Sequence, residues 1–322
     1  LNHQTLCYDT ETSLTLAEYL LLETGSPMDW GVETNETLTS FGLAKENTSI
    51  PFELDIDKVT RLNEKNRYNI SFLEAFTALN TKDKPFRILI KPLFNVTISL
   101  NSQTLEGSEI TYQFSVSTRR SNMPVSASFQ CYAVIGDYVT SNSSSTSDLG
   151  EGSIEVSLPT SLNGTALLIV FAKMEPKVLS YAVYSFAHNS EGSPNQAVSY
   201  ATLSPLNYTL RADLTSTSNR ILYAKIFTYE YYFSLNDAGN TSTTQYFTIP
   251  RILDASPMIL VGTGLNVSSS EYFAEWVSYP QIPLDFGLNF TGRYNLADAF
   301  SSRFLVTINS ATYECEVIFG GS

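Results

Sequence analysis

Only two residues in the chain carry an imidazole, His3 and His188, and that shortage decides most of what the sequence can catalyse. A Ser-His-Asp relay needs a His that touches both a nucleophile and a carboxylate. A zinc centre needs three or four His, Cys or carboxylate donors. Neither His has a second His or a Cys at ligand spacing, so both read as exposed polar residues, one near the chain start and one in a loop. The Gly-x-Ser-x-Gly elbow, HExxH, the P-loop and GxGxxG are all absent. Carboxylate chemistry passes this filter, because a glycosidase pair can come from distant strands. Glu271, Glu275 and Asp285 stand in an aromatic neighbourhood with Tyr272, Trp276 and Tyr279. Aromatic faces stack on sugar rings, so Trp276, Tyr272 and Tyr279 are the candidate ligand-binding residues. They would serve a carbohydrate-binding adhesin module or, with the carboxylates, a secreted glycoside hydrolase. The competing reading makes Trp276 a core anchor and leaves the carboxylates solvated. Asp148 and Glu151 could offer calcium ligands from a loop, but that loop lacks the oxygen density of a dedicated site. No catalytic residue, metal site or cofactor follows from these patterns.

Modification chemistry is better represented. Asn-X-Ser/Thr sequons occur at Asn35, Asn47, Asn69, Asn95, Asn142, Asn163, Asn207, Asn240, Asn266 and Asn289. With 22 Asn in the chain, and Ser plus Thr at about a fifth of positions, chance gives about five sequons. Ten evenly spread sites imply an exported, N-glycosylated chain. Its three cysteines, Cys7, Cys131 and Cys315, are widely spaced and leave at most one bridge. Cys131 shares one strand face with Phe129 and Ala133 and reads as a small buried hydrophobe; Cys315 has a similar setting. An exported chain that hardly uses disulfides points to an archaeal exterior rather than an animal one.

The charge balance narrows the partners. Net charge is −13, with 19 Lys and Arg spread thinly over 322 residues. No basic stripe can neutralise a run of phosphates, so nucleic acid is excluded as a partner, and an anionic membrane surface is disfavoured. At 43% hydrophobic residues the chain has material for real cores. No run of 18 apolar residues exists to span a membrane. The chain starts at Leu1 without Met and is read as a trimmed product whose export signal or anchor lay upstream.

Three regions are expected to position these groups: 1–105, 106–196 and 197–322. Residues 4–24 should form one mostly continuous helix, with a stripe through Leu6, Thr10, Leu14, Ala17 and Leu21, widened by Leu20 and stopped by Gly25 and Pro27. A short helix starts at Asp55. Another is signalled by Ser71 and Glu74, three residues apart, as a capping box. The strand FRILIKPLFNVTISL closes this region. Strands are predicted at Ile110–Ser117, Ser126–Ile135, Ser153–Leu158, Thr165–Ala172 and Leu179–Phe186, with a polar loop over 142–152. In the last region, 221–235 reads as an aromatic strand pair or bent strand. Phe304, Val306 and Ile308 lead through Asn309-Ser310 into Ala311, Tyr313, Cys315, Val317 and Phe319, the best hairpin signal in the chain. The fold class is therefore mainly β: a small α+β N-terminal domain followed by two β-sandwich domains.

The first hundred residues resemble archaeal type IV pilin-like surface proteins. The resemblance rests on Leu20, Leu21 and Leu22, on Gly25, Pro27 and Trp30 in GSPMDW, on Phe41, Gly42, Leu43 and Ala44, on Lys58, Val59 and Leu62, and on the strand that follows. These are scaffold motifs, so they transfer no catalytic role. They imply a cell-surface or filament protein whose N-terminal helix meets an anchor or a neighbouring subunit. SDLGEG before GSIEVSLP is similar, more loosely, to immunoglobulin-like adhesion modules. Together these features imply a non-enzymatic extracellular structural or adhesive protein, with self-association or a membrane anchor through the helix and surface glycans as partners.

Overall fold

The structure, a computed structural model, describes residues 3–81, 84–190, 199–252, 255–267, 270–288 and 299–320, with side chains from residue 11 onward. Strands hold 55% of residues and helices 9%, so the chain is mainly β and is built of several sheets. The helices are α1 (His3–Leu22), α2 (Ile56–Thr60) and α3 (Phe72–Leu79). The strands begin with β1 (Phe86–Pro92), β2 (Asn95–Glu106), β3 (Glu109–Arg120), β4 (Met123–Pro124), β5 (Ser128–Ile135), β6 (Tyr138–Ser145) and β7 (Glu151–Pro159). They continue with β8 (Gly164–Glu175), β9 (Val178–His188), β10 (Ala201–Leu206), β11 (Thr209–Leu214), β12 (Ile221–Phe227), β13 (Tyr232–Ser234) and β14 (Asn236–Asn240). The last are β15 (Thr244–Thr248), β16 (Met258–Leu265), β17 (Tyr272–Tyr279), β18 (Leu284–Gly287), β19 (Phe300–Ile308) and β20 (Ala311–Phe319). They divide into two compact units, Leu1–Pro92 with Tyr279–Ser322, and Leu93–Ser278.

The first unit is a four-stranded antiparallel sheet in the order β18-β1-β20-β19 with α1 packed against β19 and β20. The β19–β20 hairpin forms where the alternation places it. Asn309 and Ser310 both take positive φ, 42° and 67°, the conformation of a two-residue turn whose twist suits the strands. Ala311, Tyr313, Cys315, Val317 and Phe319 are all buried. They share the core with Phe86, Ile88 and Ile90 of β1, which pairs with β20 from Phe86↔Phe319 to Pro92↔Tyr313. On α1 the buried positions are Ser13, Ala17, Leu20 and Leu21, whereas Leu14 is 43% exposed. The inner stripe is thus rotated from the expected one, with Ser13 in the place assigned to Leu14; the side chains of Leu6, Cys7 and Thr10 lie outside the described residues. Asp55 caps α2 through bonds from the Asp57 and Lys58 amides. The Ser71–Glu74 capping box opens α3, and Asn80 ends it in the left-handed conformation.

The second unit has three sheets. The first runs β2-β3-β4, with β7 also paired to β3. The largest runs β13-β12-β16-β17-β8-β5-β6, with β9 on β8, and its two halves join at the single pair Tyr272↔Gly164. The third runs β10-β11-β15-β14. The segment Ala166–Ala172 explains the layering. Its apolar run has no polar alternation because both faces are buried. Ala166, Leu168, Val170 and Ala172 share a core with Phe114, Val116, Ile154 and Val156 of the first sheet. Leu167, Ile169 and Phe171 share another with Tyr132, Val134, Phe227, Ile259 and Val261.

The structure departs from the expected layout in three places. The segment expected as one strand from Phe86 to Leu100 is two strands in different units, broken after Pro92, which has no amide hydrogen for a ladder. Residues 142–145, expected in a loop, end β6, an exposed polar strand paired with β5. The divisions expected after 105 and after 196 do not coincide with the units. Residues 197–322 are shared between both, because β20 pairs with β1, while β12 and β16 cover the second face of β5 and β8.

Candidate functional site

The sequons are the most numerous candidate sites, and solvent access decides whether a glycan fits. Asn35, Asn47, Asn69, Asn95, Asn142, Asn207 and Asn240 are exposed, and Asn163 and Asn266 are half-buried. Asn289 lies outside the described residues. Among the described residues the two buried asparagines, Asn66 and Asn219, both lie outside sequons and are held by hydrogen bonds, Asn66 to Gln281 and Asn219 to Thr215. Several sequon asparagines sit where the backbone turns: Asn47 and Asn207 take positive φ. Asn95 starts β2 and Asn240 ends β14. Ser71, the hydroxyl residue of the Asn69 sequon, is also the N-cap of α3.

The three candidate aromatic residues are not brought to one surface. On β17, Tyr272 and Trp276 share strand parity, and Tyr279 has the opposite parity. Trp276 is 39% exposed and is therefore not the core anchor of the competing reading. Tyr272 is half-buried and closes over Gly136, where a Cβ would come within 2.7 Å of its ring. Tyr279 is fully buried and donates to Asp57 at 2.7 Å. The carboxylates are engaged in holding the fold. Glu275 accepts from the Tyr200 amide at 2.6 Å, the Ala201 amide and the Ser199 hydroxyl, tying the start of β10 to β17. Burial pushes its carboxyl above the usual range, and those same hydrogen bonds pull it back. Glu271 accepts from Ser190. Asp285 forms a two-point ion pair with Arg87 across β18 and β1, at 2.7 and 2.5 Å. At the first residue of β7, Glu151 is bound by Arg119 at 2.9 Å, which supplies the positive charge that a calcium ion would bring. Among the described residues no three His, Cys, Asp or Glu side chains converge on a point where a metal would sit.

His188 corrects the reading of an exposed loop residue: it ends β9 and is fully buried. Its ring lies between the Tyr112 hydroxyl at Nδ1, 2.8 Å, and the Pro159 carbonyl at Nε2, 2.9 Å. A carbonyl only accepts, so Nε2 carries the proton and Nδ1 accepts from Tyr112. The side chain of His3 is outside the described residues. Cys131 and Cys315 are free buried thiols, pushed up by burial to about 11 and about 12. Cys131 shares its core with Phe129 and Ala133 and donates to the Asn142 carbonyl.

The motif residues of the N-terminal third form one polar knot. Trp30 Nε1 donates to the carbonyls of Gly42 and Thr24. The buried Lys58 ammonium donates to those of Thr24 and Ala44, both at 2.9 Å. Arg61 donates to Trp30, Glu33 and Tyr68 carbonyls and lies over the Trp30 ring. Gly42 passes so close to Glu23 that a Cβ would stand 2.2 Å from its carbonyl oxygen. These residues satisfy loop carbonyls that would otherwise be buried without donors.

Neither a family model nor a curated protein matches the chain. Among solved structures, a marsupial T cell receptor is 9% identical, with a TM-score of 0.21 over 58% of this chain and 96% of its own. A red sea bream transglutaminase is 9% identical with a TM-score of 0.23; the match covers 66% of this chain and 32% of that one. The human GIVD cytosolic phospholipase A2 gives 10% identity and a TM-score of 0.14 over 74% of this chain and 33% of its own. These likenesses are too low to bear on activity.

One cluster escaped the sequence reading. Lys225 of β12 is buried and reaches Asp137 of the β5–β6 turn, 88 positions away. The signal present in the sequence was the aromatic run around it, which folds as the β12–β13 hairpin.

Proposed function

We propose that this chain is a non-enzymatic extracellular surface or filament protein, N-glycosylated, with a mechanical and adhesive role. The layout proposed with it is a pilin-like α+β unit of archaeal type leading into immunoglobulin-like β-sandwich modules. Its α1 would serve self-association or attachment to a membrane anchor. The observation that carries the reading is the contrast among asparagines. Every described sequon Asn retains solvent access, while the two buried Asn among the described residues lie outside sequons. A bulky glycan is tolerated only at accessible positions. The engagement of Glu275 by backbone amides and of Asp285 by Arg87 supports a structural use of those carboxylates. The exposure of Trp276 favours a second reading, a carbohydrate-binding adhesin module on β17.

The test is the intact mass of native protein before and after enzymatic or chemical deglycosylation. Several glycan increments are expected, assigned to sequons by peptide mapping. A native mass equal to that of the bare chain, 35.7 kDa, would remove the glycosylated exterior from the proposal.

A further inference from the structure

In the second unit, an open groove of about 560 Å³ is lined by Asp137, Tyr138, Ser161, Leu162, Lys225 and Tyr232, among others. That volume falls in the range of small-molecule sites. Lys225 is the cation of its lining. Its side chain is only 6% exposed and its ammonium lies 2.5 Å from Asp137, whose own side chain is 65% exposed. The pair is neutral, so the groove offers hydrogen-bonding atoms without net charge. An anionic ligand would have to displace Asp137 from a buried cation, and a cationic one would have to displace the cation itself; both lose a strong charge-assisted bond.

The wall is an aromatic ring held in place. Tyr232 stands opposite Phe227 in the β12–β13 ladder and stacks on it at 5.5 Å and 18°. Tyr132 meets it edge-on at 5.6 Å. One side of the ring is thereby fixed, yet 42% of the residue remains exposed. Binding to a ring already ordered costs little side-chain entropy. Tyr138, 36% exposed, adds a second aromatic surface, and Ser161 adds a hydroxyl.

A fixed aromatic face, an accessible carboxylate oxygen and hydroxyl groups around a neutral ion pair match one ligand chemistry, the pyranose ring. Its C–H face packs on an aromatic ring and its hydroxyls donate to carboxylates and exchange bonds with hydroxyls. We propose that this groove binds a neutral saccharide of one or two pyranose rings. The saccharide has two sources. Asn163 is the residue next to Leu162 of the groove lining and belongs to a sequon, so the chain's own glycan is one source; a glycan of another molecule is the other. The proposal gives the surface-protein reading a ligand class and a site, and its groove does not depend on Trp276.

The test is saturation-transfer NMR on the full chain. The probes are methyl α-mannoside, methyl β-glucoside, methyl β-galactoside and N-acetylglucosamine, with glucosamine and glucuronic acid as charged controls. It is run on native protein and on Thr165→Ala, which removes the Asn163 sequon. At least one neutral probe is expected to bind, with a dissociation constant on the order of 1 mM. Binding to both proteins indicates a foreign glycan; binding only after Thr165→Ala indicates the chain's own. Tyr232→Ala should weaken binding about tenfold, and Tyr232→Phe should retain it. Tyr138→Ala, on the exposed rim, provides a variant in which the Phe227 stack is untouched and should also weaken binding. The proposal is overturned if no neutral probe binds either protein, if the charged controls bind equally well, or if folded Tyr138→Ala and Tyr232→Ala bind as tightly as wild type. A bare native mass would end the glycosylation reading alone and leave this assay to decide the groove.

Discussion

His188 carries the clearest consequence of a single buried group. Its neutral ring accepts from Tyr112 and donates to Pro159, joining β9, β3 and the end of β7. Burial holds its pKa below the ordinary 6.5, although the bond to Pro159 pulls the other way. In the unfolded chain the ring protonates first as pH falls, so the unfolded state binds more protons across this window. Stability is therefore lost as pH drops from about 6.5 towards the lower folded value. Glu275 works in the opposite sense: its raised pKa makes the folded state the better proton acceptor, so its contribution grows as pH falls. His188→Gln keeps a donor for Pro159 and removes the titration. Urea midpoints measured between about pH 7 and pH 5 should fall for wild type and fall less for His188→Gln. Parallel slopes for the two proteins would show that His188 contributes nothing to the pH dependence.

At the scale of elements, α1 separates two roles that its sequence blends. Leu21 is fully buried and Leu14 faces solvent, although both fit an apolar stripe. Leu21→Ala should cost about 2–5 kcal/mol of the first unit's stability, and Leu14→Lys should stay within about 0.5 kcal/mol. Urea denaturation monitored by far-ultraviolet circular dichroism reads both. An equal loss from Leu14→Lys would mean that the helix packs on its other face. The same helix shows where sequence reading stops. Periodicity reveals a helix from 4 to 24, but Ser13 and Leu14 compete for one inner position, and a small hydroxyl residue beside the sheet carries no hydrophobic signal. Elements whose information is local were legible: the Ser71–Glu74 box, the Asn309-Ser310 turn and the strands β3, β5, β7, β8 and β9. β6 was not, because its residues from Ser141 to Ser145 are all polar and exposed, so no alternation marks it. The sequons were legible as motifs, and their exposure was not. Lys225 and Asp137 were invisible as a pair, since only the folded sheets bring residues 88 positions apart together.

For the whole molecule, the decisive feature is which strands complete which sheet. β1 lacks a hairpin partner near it in sequence; β20, more than two hundred residues later, pairs along its whole length. Everything from Leu93 to Ser278 is thus a continuous segment inserted between the two parts of the first unit. A segment that carries its own cores should fold when expressed alone, so fragment 93–278 is expected to give a single cooperative thermal transition. Shorter pieces should not. Ending the fragment at 196 removes β12 and β16 and strips the second face of β5 and β8, exposing Tyr132, Val134, Leu167, Ile169 and Phe171. At about 1.5–3 kcal/mol for each large apolar side chain, that loss matches the whole stability of an ordinary domain, about 5–15 kcal/mol. A fragment of 197–322 fares no better, because it holds β18 and β20 without β1, the strand between them. Differential scanning calorimetry of the three fragments beside the full chain decides the matter. A cooperative transition in 93–196 would show that the first sheet and the β9-β8-β5-β6 half of the largest one suffice without β12 and β16. Failure of 93–278 to fold, with the full chain folding normally, would show that the inserted segment draws its stability from the rest of the chain.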